Sequence, residues 1–278
     1  VQLGTGFNTQ VMGNDFYSYK GSSTDFLGFD NGTRALPANL PAKSSFADLT
    51  QEEKTAYASG FENIWSADKK SSAFAPSLNQ SIAISGGFKT NLGKKNKLAA
   101  ILAVNYNRSN KRTVYENQIN TFQNNIPDLS FQYFNKKYSQ DILMGALANI
   151  TLQLGNNSKI SFKNLLNVNT TNYTTLREGK DFDGASNVVS GDNIRATELA
   201  FKANTFFNTQ LSGEHNIPKY NAKLQWFGSF NILDQYIPDQ RRLQFLQDDS
   251  NDPSSHYRAV IGGSNASQKS GSRYYGFL

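Results

Sequence analysis

Residues 142–154 of this chain read ILMGALANITLQL, and their alternation decides the fold class. The even-numbered positions from Ile142 to Leu154 are all apolar, whereas the odd-numbered ones include Asn149, Thr151 and Gln153. Successive side chains of a β-strand point to opposite faces, so this pattern predicts a strand with one apolar and one largely polar face. The stretch is also long enough for a tilted strand to cross a bilayer, which takes roughly 9–11 residues.

Similar alternation recurs along the chain and predicts an all-β, antiparallel architecture of about seven or eight strands. The other stretches lie near residues 1–11, 82–88, 98–106, 160–168, 199–211 and 224–232. In a soluble β-sandwich the apolar faces would pack on a second sheet. In a transmembrane β-barrel they would face lipid, and the polar faces would line the lumen.

The predicted connections alternate in length, which favours the barrel. Short turns are predicted near 91–97, 155–158 and 213–221, and long loops near 13–78, 112–131, 178–195 and 238–258. Outer-membrane barrels combine short periplasmic turns with long extracellular loops, whereas a sandwich has no such requirement. Within the first long loop, Thr50 and Glu53 have capping-box spacing and predict a short helix near 50–63.

Composition excludes several classes of protein. The chain has no cysteine, which excludes a disulfide framework and cysteine-ligated metal. Its 28 basic residues give a net charge of +6 but are scattered, without a stripe that would suit nucleic acid. Several lysines fall on the predicted polar faces and favour a wide barrel over a small one with a packed interior. We therefore expect the chain to form part of a larger barrel.

Residues that could carry catalysis or bind metal do not converge in the sequence. His215 and His256 fall in different predicted turns or loops, and a triad or histidine metal site needs converging partners. The acidic runs 181–184 and 248–252 lack the spacing and closing glutamate of an EF-hand. No phosphate-binding loop, dinucleotide fingerprint or Gly-x-Ser-x-Gly motif is present. We predict a protein without catalytic residues, metal or cofactor.

Two motifs resemble those of a known family. The run Asp25–Pro37, DFLGFDNGTRALP, resembles a signature that follows the first barrel strand in TonB-dependent receptors of the Bacteroidota outer membrane. The run Tyr236–Leu243, YIPDQRRL, is similar to another segment of that family, in its SusC-like, carboxypeptidase-regulatory-like-domain group. The resemblance implies a 22-stranded barrel with long extracellular loops, a plug and energy from TonB. Residues 1–278 would then be the N-terminal sector of the barrel, with the plug and remaining strands outside this sequence.

Function follows from the resemblance as an expectation. It implies an outer-membrane transporter or receptor that imports a substrate by energised movement of the plug. A non-transporting barrel within a secretion or assembly complex is the alternative, and a soluble β-sandwich adhesin is a third possibility. The implied partners are outer-membrane lipid and lipopolysaccharide, TonB, the rest of the same protein, and a SusD-like surface lipoprotein or other complex subunits, but not nucleic acid.

Four charged residues are candidates for substrate contact. Asp30 and Arg34 lie in the first motif, where they would either form a structural ion pair or line a substrate path. Arg241 and Arg242 lie in the second motif and would face either an anionic ligand or lipopolysaccharide at the outer rim. The sequence leaves both alternatives open.

Overall fold

The computed structural model describes residues 1–35, 41, 43–46, 48–59, 67–70, 78–123, 126–182, 191–247, 251–259 and 268–277. Most of these residues belong to one antiparallel sheet. The elements, in chain order, are β1 (Gln2–Gly6), β2 (Phe16–Ser18), a 3-10 turn (Asp25–Leu27), α1 (Lys43–Phe46), α2 (Gln51–Ser59), β3 (Asp68–Lys70), β4 (Asn79–Leu92), β5 (Asn96–Gln123), β6 (Ile126–Leu154), β7 (Ser158–Asp181), β8 (Asp192–Ile217), a second 3-10 turn (Pro218–Tyr220), β9 (Ala222–Gln247), β10 (Tyr257–Ala259) and β11 (Gln268–Phe277).

The main sheet follows the chain almost without interruption. Its order is β1-β4-β5-β6-β7-β8-β9-β10, and β11 pairs with the same strand, β9, as β10 does. Nine strands thus occupy eight positions, all of them in antiparallel pairs, which confirms the predicted all-β antiparallel sheet. Among the described strands, β1 and the β10/β11 position form the two edges without pairing to each other, so this sheet is open.

The three predicted short turns are confirmed at one end of the sheet. Gly93 and Gly155 occupy the left-handed region at φ 69° and 59° in the turns that follow β4 and β6. The third connection is the 3-10 turn before β9, closed by Asn221 at φ 47°. Glycine and asparagine adopt positive φ at low cost, so these residues suit tight reversals.

The prediction of long loops near 112–131, 178–195 and 238–258 was wrong for most of the described residues, although residues 251–256 after β9 are irregular, as predicted. There β5 continues to Gln123, β6 begins at Ile126, β7 continues to Asp181, β8 begins at Asp192, and β9 runs to Gln247. These segments are mostly polar on both faces, with apolar residues such as Val114, Ile119 and Leu243 scattered among them, so they lack the regular apolar alternation that identifies a half-buried strand. Cross-strand hydrogen bonds and side-chain pairs nevertheless extend the ladder through them. Residues 124–125, 183–190 and 248–250 lie outside the described residues.

The described residues of the connection between β1 and β4 lie outside the main sheet. They include the two-stranded β2–β3 pair and the short helices α1 and α2. The Thr50 backbone N–H donates to the Glu53 carboxylate at 2.8 Å, and the Glu53 N–H donates to the Thr50 hydroxyl at 3.3 Å. This capping box starts α2 as predicted, and residues 60–63 of the expected helix lie outside the described residues.

The register of the sheet gives it two distinct sides. The apolar face is defined here as the side that carries Ile82, Leu102, Ile150, Phe162, Phe207 and Trp226. The polar face is the other side, which carries Lys89, Asn105, Asn149, Lys163, Asn208 and Lys223. The core lies between one half of the apolar face and the chain segment Val11–Ala35, called the first connection here. Phe201 is fully buried in that core, whereas Ile150 and Trp226 are exposed.

Candidate functional site

The apolar face carries a band of apolar side chains in the half of the sheet near the tight turns. Its height is nine residues on β5 (Leu98–Tyr106), on β7 (Ile160–Val168) and on β9 (Leu224–Ile232). Several side chains within the band are exposed, with Leu102 61% and Ile150 47% accessible, whereas Val168 at its end is buried. The band ends where polar residues take over the same face, at Gln80, Arg108, Thr170 and Asp234. An apolar band whose height differs between strands is therefore built into successive strands, and the opposite face is more polar but also carries apolar residues such as Ile101 and Leu165.

One polar pair lies inside the band and is satisfied within it. The Thr209 hydroxyl donates to Asn164 Oδ1 at 2.8 Å, and Asn164 Nδ2 donates to the Ala148 carbonyl at 3.3 Å. An amide in apolar surroundings is costly unless its hydrogen bonds are made locally. The asparagine that interrupts the apolar pattern of β7 is thus compatible with the band.

The first connection contacts the apolar face directly beyond the band. The Tyr106 hydroxyl donates to the Phe26 carbonyl at 2.6 Å, and the Thr170 hydroxyl donates to the Gly28 carbonyl at 2.7 Å. Gly28 has φ 83°, and a Cβ there would lie 3.1 Å from Thr170 Oγ1. The contact therefore requires glycine for both its backbone conformation and the close approach to the sheet.

Arg34 holds the first connection together from a buried position. It is 1% exposed, and its two Nη atoms bond the two carboxylate oxygens of Asp25, each at 2.6 Å. Nη1 also donates to Asp30 at 2.9 Å, and Nε donates to the Tyr19 hydroxyl at 3.3 Å. Bidentate arginine–carboxylate pairs combine charge with fixed geometry, so this network defines the path of the chain. Of the two alternatives for Asp30 and Arg34, the structure supports the ion pair.

The Arg34 network also joins the first connection to the sheet. The guanidinium carbon lies 4.4 Å from the centre of the Phe201 ring, and Asn172 Nδ2 donates to Asp25 at 3.1 Å. Burial lowers the pKa of Arg34, but its bond to Asp25 and the charges of Tyr19 and Asp25 outweigh burial and raise it. Sequence reasoning paired Arg34 with Asp30 but assigned no role to Asp25 or Phe201, and no pattern identifies Phe201 as its partner.

The polar face carries a charged cluster beyond the level of the band. Glu198 accepts from Arg242 Nη2 at 3.2 Å, from the Tyr173 hydroxyl at 3.2 Å and from Gln240. Lys137 Nζ lies 3.9 Å from the centre of the Tyr173 ring. Burial, and then the neighbouring Glu198 carboxylate, raise the pKa of Tyr173. We call these five side chains the Glu198 cluster.

Further polar contacts surround this cluster on the same face. Arg177 Nε donates to Asn135 Oδ1 at 2.8 Å, and its guanidinium lies 4.9 Å from the centre of the Tyr133 ring. The Tyr133 hydroxyl donates to Asp181 at 2.9 Å. This half of the polar face therefore presents hydrogen-bonding groups of both positive and negative charge.

Arg241 and Arg242, both expected to face an anionic ligand or lipopolysaccharide, lie on opposite faces. Arg241 is opposite Leu199 on the apolar face and 2% exposed, whereas Arg242 is opposite Glu198 on the polar face with 57% of its side chain accessible. A register shift between Ala200 and Ala203 places one extra β9 residue between Tyr236 and Gln240, the segment that holds Pro238. Proline has no N–H to donate to the ladder, so a bulge suits it. The bulge reverses which β9 residues face each side.

The histidines and acidic runs do not form a site among the described residues. Trp226 Nε1 donates to His215 Nε2 at 3.1 Å, and His215 Nδ1 lies 3.0 Å from Ser158 Oγ, near the tight turns. His256 is exposed beside β10, at the other end of the sheet. Within the described part of the chain, no three His, Cys, Asp or Glu side chains could share a metal ion.

Comparison with known proteins adds no assignment. No protein-family model matches the chain, and no curated protein matches it. In the ranges that the structure describes, no helix has the length and apolar character needed to cross a membrane.

Proposed function

We propose that this chain is the wall sector of a larger outer-membrane β-barrel belonging to a TonB-dependent transporter. The observation that carries the proposal is the apolar band. Nine strand residues fall within the roughly 9–11 that a tilted strand takes to cross a bilayer, and outer-membrane barrels carry a lipid-facing apolar band. The band faces lipid, and the opposite polar face lines the lumen.

The half of the sheet farther from the tight turns extends beyond the band and lies outside the bilayer. Strands such as β6, with 29 residues, are far longer than the 9–11 residues that a membrane crossing takes. The polar residues on both faces of these extensions suit water on both sides. The open edges require neighbouring strands, which the remainder of a 22-stranded barrel would supply.

Import follows from the family resemblance. A substrate binds on the extracellular side, TonB pulls on the plug from the periplasm, and the opened path leads along the polar face. The Glu198 cluster lies on that face and offers Arg242, with Lys137, to an anionic or hydrogen-bonding substrate. No bond of the substrate is made or broken.

A matched pair of variants tests the membrane-facing side. Leu102 and Ile101 are adjacent on β5, both more than half exposed, and lie on the apolar and polar faces respectively. Arginine at the midplane of a lipid-facing wall costs about 2–4 kcal/mol. We expect Leu102→Arg to reduce stable membrane insertion strongly and Ile101→Arg to leave it nearly unchanged. Equal effects of the two variants, or detergent-free solubility of the full protein, would refute the membrane wall.

A second experiment tests transport against the scaffold alternative. A deletion strain is assayed for energy-dependent uptake of glycans, peptides, siderophores and cobalamin, and the tagged protein is purified for its partners. Loss of uptake of one class supports the transporter. If the deletion causes no uptake defect and the protein purifies in a stable complex with secretion or assembly subunits, the result would refute transport and support the scaffold role.

A further inference from the structure

The tight turns bring together lysines that are far apart in the sequence. The three hairpin ends, residues 84–102, 147–164 and 209–230, contain eight lysines and a single acidic residue, Glu214. They leave 20 of the chain's 28 basic residues and 21 of its 22 acidic residues for the rest of the sequence. The excess of positive charge therefore lies at one end of the sheet, where strands β4 to β9 are joined by the tight turns.

Five of the eight lysines lie on the polar face, namely Lys89, Lys97, Lys159, Lys163 and Lys223. Lys97 and Lys159 both lie opposite Gln153, one on each side of it. Their Cα atoms are therefore about 10 Å apart, because neighbouring strands are about 4.8 Å apart. Lys89 lies opposite Ala99 and is thus a diagonal neighbour of Lys97. Like charges at such positions repel each other, so an anion between them would be stabilising. We call Lys89, Lys97 and Lys159 the turn-end lysines.

The acidic residue at this end of the sheet is already paired. The Glu214 carboxylate lies 3.0 Å from Lys223 Nζ and accepts from Gln225 Nε2, also at 3.0 Å. Within the described ranges of the chain, the turn-end lysines form no salt bridge. All three of these residues are exposed. Their positive charges are therefore accessible from solvent and available to an anionic ligand.

The turn-end lysines line one recess on the polar face, with a volume of about 320 Å³. Glu214 also borders it, but its charge is shared with Lys223. The remaining lining includes the amides of Gln153, Asn156 and Asn157. Small-molecule sites usually measure about 300–1,000 Å³, so the recess suits a compact ligand. Ammonium and amide groups both donate hydrogen bonds, which favours a ligand with several acceptor oxygens.

We propose that the turn-end lysines bind a small anion that carries two or more carboxylate or phosphate groups. One exposed ion pair contributes little to binding, so a monovalent anion would not be retained. A multivalent anion can contact ammonium groups from β4, β5 and β7 at once and relieve the repulsion among them. A cation would be repelled by the same groups.

The role of this site rests on the proposed function. If the apolar band contacts lipid, the polar face lines the lumen and the tight turns lie on the periplasmic side. Rings of lysine or arginine side chains make pores selective for anions. The turn-end lysines would then form the periplasmic end of the transport path, and the transported substrate would be a multivalent anion.

Binding is tested on the full protein in detergent micelles by titration calorimetry at about 0.15 M NaCl, where surface charges are screened as they are under physiological conditions. Tricarballylate and pyrophosphate are the multivalent probes, acetate is the monovalent probe, and spermidine is the cationic one. We expect saturable one-to-one binding of at least one multivalent probe, and no saturable binding of acetate or spermidine.

Substitutions locate the bound anion. Lys97→Gln and Lys159→Gln should each weaken binding at least fivefold, whereas Lys97→Arg, which keeps the charge, should stay within threefold of wild type. Lys111→Gln is the matched control, since it removes the same charge from the polar face outside the recess. Lys111 Nζ is paired with Asp141 at 2.7 Å and its side chain is 57% exposed. Binding should change less than twofold in this variant.

Two results would overturn the site. One is the absence of saturable binding of either multivalent probe at millimolar concentration by the folded protein, which would leave the lysines as solvated side chains. The other is equal weakening by Lys111→Gln, or equal binding of acetate, because the attraction would then come from net charge alone. Circular dichroism checks the fold of each variant, and Lys159→Gln alone decides if Lys97→Gln does not fold. The Leu102 and Ile101 variants report on the membrane wall independently, so anion binding without a membrane wall would keep the site and refute its place in a transport path.

Discussion

Replacing Arg34 with methionine should release the first connection from the sheet. Methionine keeps much of the side-chain volume but removes the donors that bind Asp25, Asp30 and Tyr19. The side chain of Asp30 is fully buried and that of Asp25 is 13% exposed. Two carboxylates would therefore lose their cation in a place where water cannot replace it.

The expected magnitude follows from this burial. Removing one partner of a buried ion pair typically costs about 3–5 kcal/mol, because the remaining charge is left uncompensated. At 1.4 kcal/mol per factor of ten, the opening equilibrium of the first connection should rise roughly 100- to 4,000-fold. The strands of the main sheet should be much less affected, because their ladders do not depend on Arg34.

Native-state hydrogen exchange by mass spectrometry measures this opening in peptides that cover residues 11–35. Arg242→Met is the control, since Arg242 lies on the polar face with 57% of its side chain exposed and should contribute less than about 1 kcal/mol. Adding Asp25→Asn and Asp30→Asn to Arg34→Met should recover more than half of the lost protection. An Arg34→Met effect below fivefold, or equal to that of the control, would refute the anchoring role.

Three further predictions address other parts of the structure. Asn164→Leu should lower the free energy of unfolding by about 1–3 kcal/mol, because it removes the acceptor of the Thr209 hydroxyl. In urea unfolding, adding Thr209→Val should recover most of the lost stability. Strictly additive losses in the double variant would contradict the pair. Because the folded state raises the pKa of Tyr173 above its ordinary 10.0, it binds the phenolic proton more tightly than the unfolded state does, and stability falls as pH rises above 10. Denaturation midpoints between pH 10 and 11.5 should fall less steeply in Tyr173→Phe, and parallel slopes would contradict the shift. Gly28→Ala should lower stability by about 1–2 kcal/mol from the positive φ of residue 28 alone. Hydrogen exchange in the first connection should then increase, and unchanged exchange would contradict the tight contact.

The strands within the apolar band were predictable because one face differs chemically from the other there. From Ile142 to Leu154 the period-two pattern gives both the strand and the face that each side chain occupies. Beyond the band the same strands become polar on both sides, as in residues 111–118 of β5, and the pattern no longer separates strand from loop. There the structure depends on cross-strand pairing, which needs residues far apart in sequence and so is not visible in any one segment.

The side on which the second motif presents its arginines could not be predicted for a related reason. Strand alternation assigns adjacent residues to opposite faces, but it does not say which face each of them takes. The extra residue between Tyr236 and Gln240 reverses the assignment along β9 and buries Arg241 while exposing Arg242. A bulge is a property of the pair of strands, so the β9 sequence alone contains only the hint that proline disfavours a regular ladder.

For the proposed transport function, the placement of the four charged candidates changes where substrate contact should be sought. Arg34 is paired with Asp30 and Asp25, so neither Arg34 nor Asp30 is available to a ligand. Arg241 is buried on the apolar face. Arg242 remains on the polar face, partly exposed, with its charge shared with Glu198. A group that binds a transported ligand must be reachable from the transport path and able to exchange its protein partner for the ligand. Among the four candidates Arg242 meets both conditions, so the Glu198 cluster, rather than the first motif, is the place where variants should alter uptake without loosening the first connection.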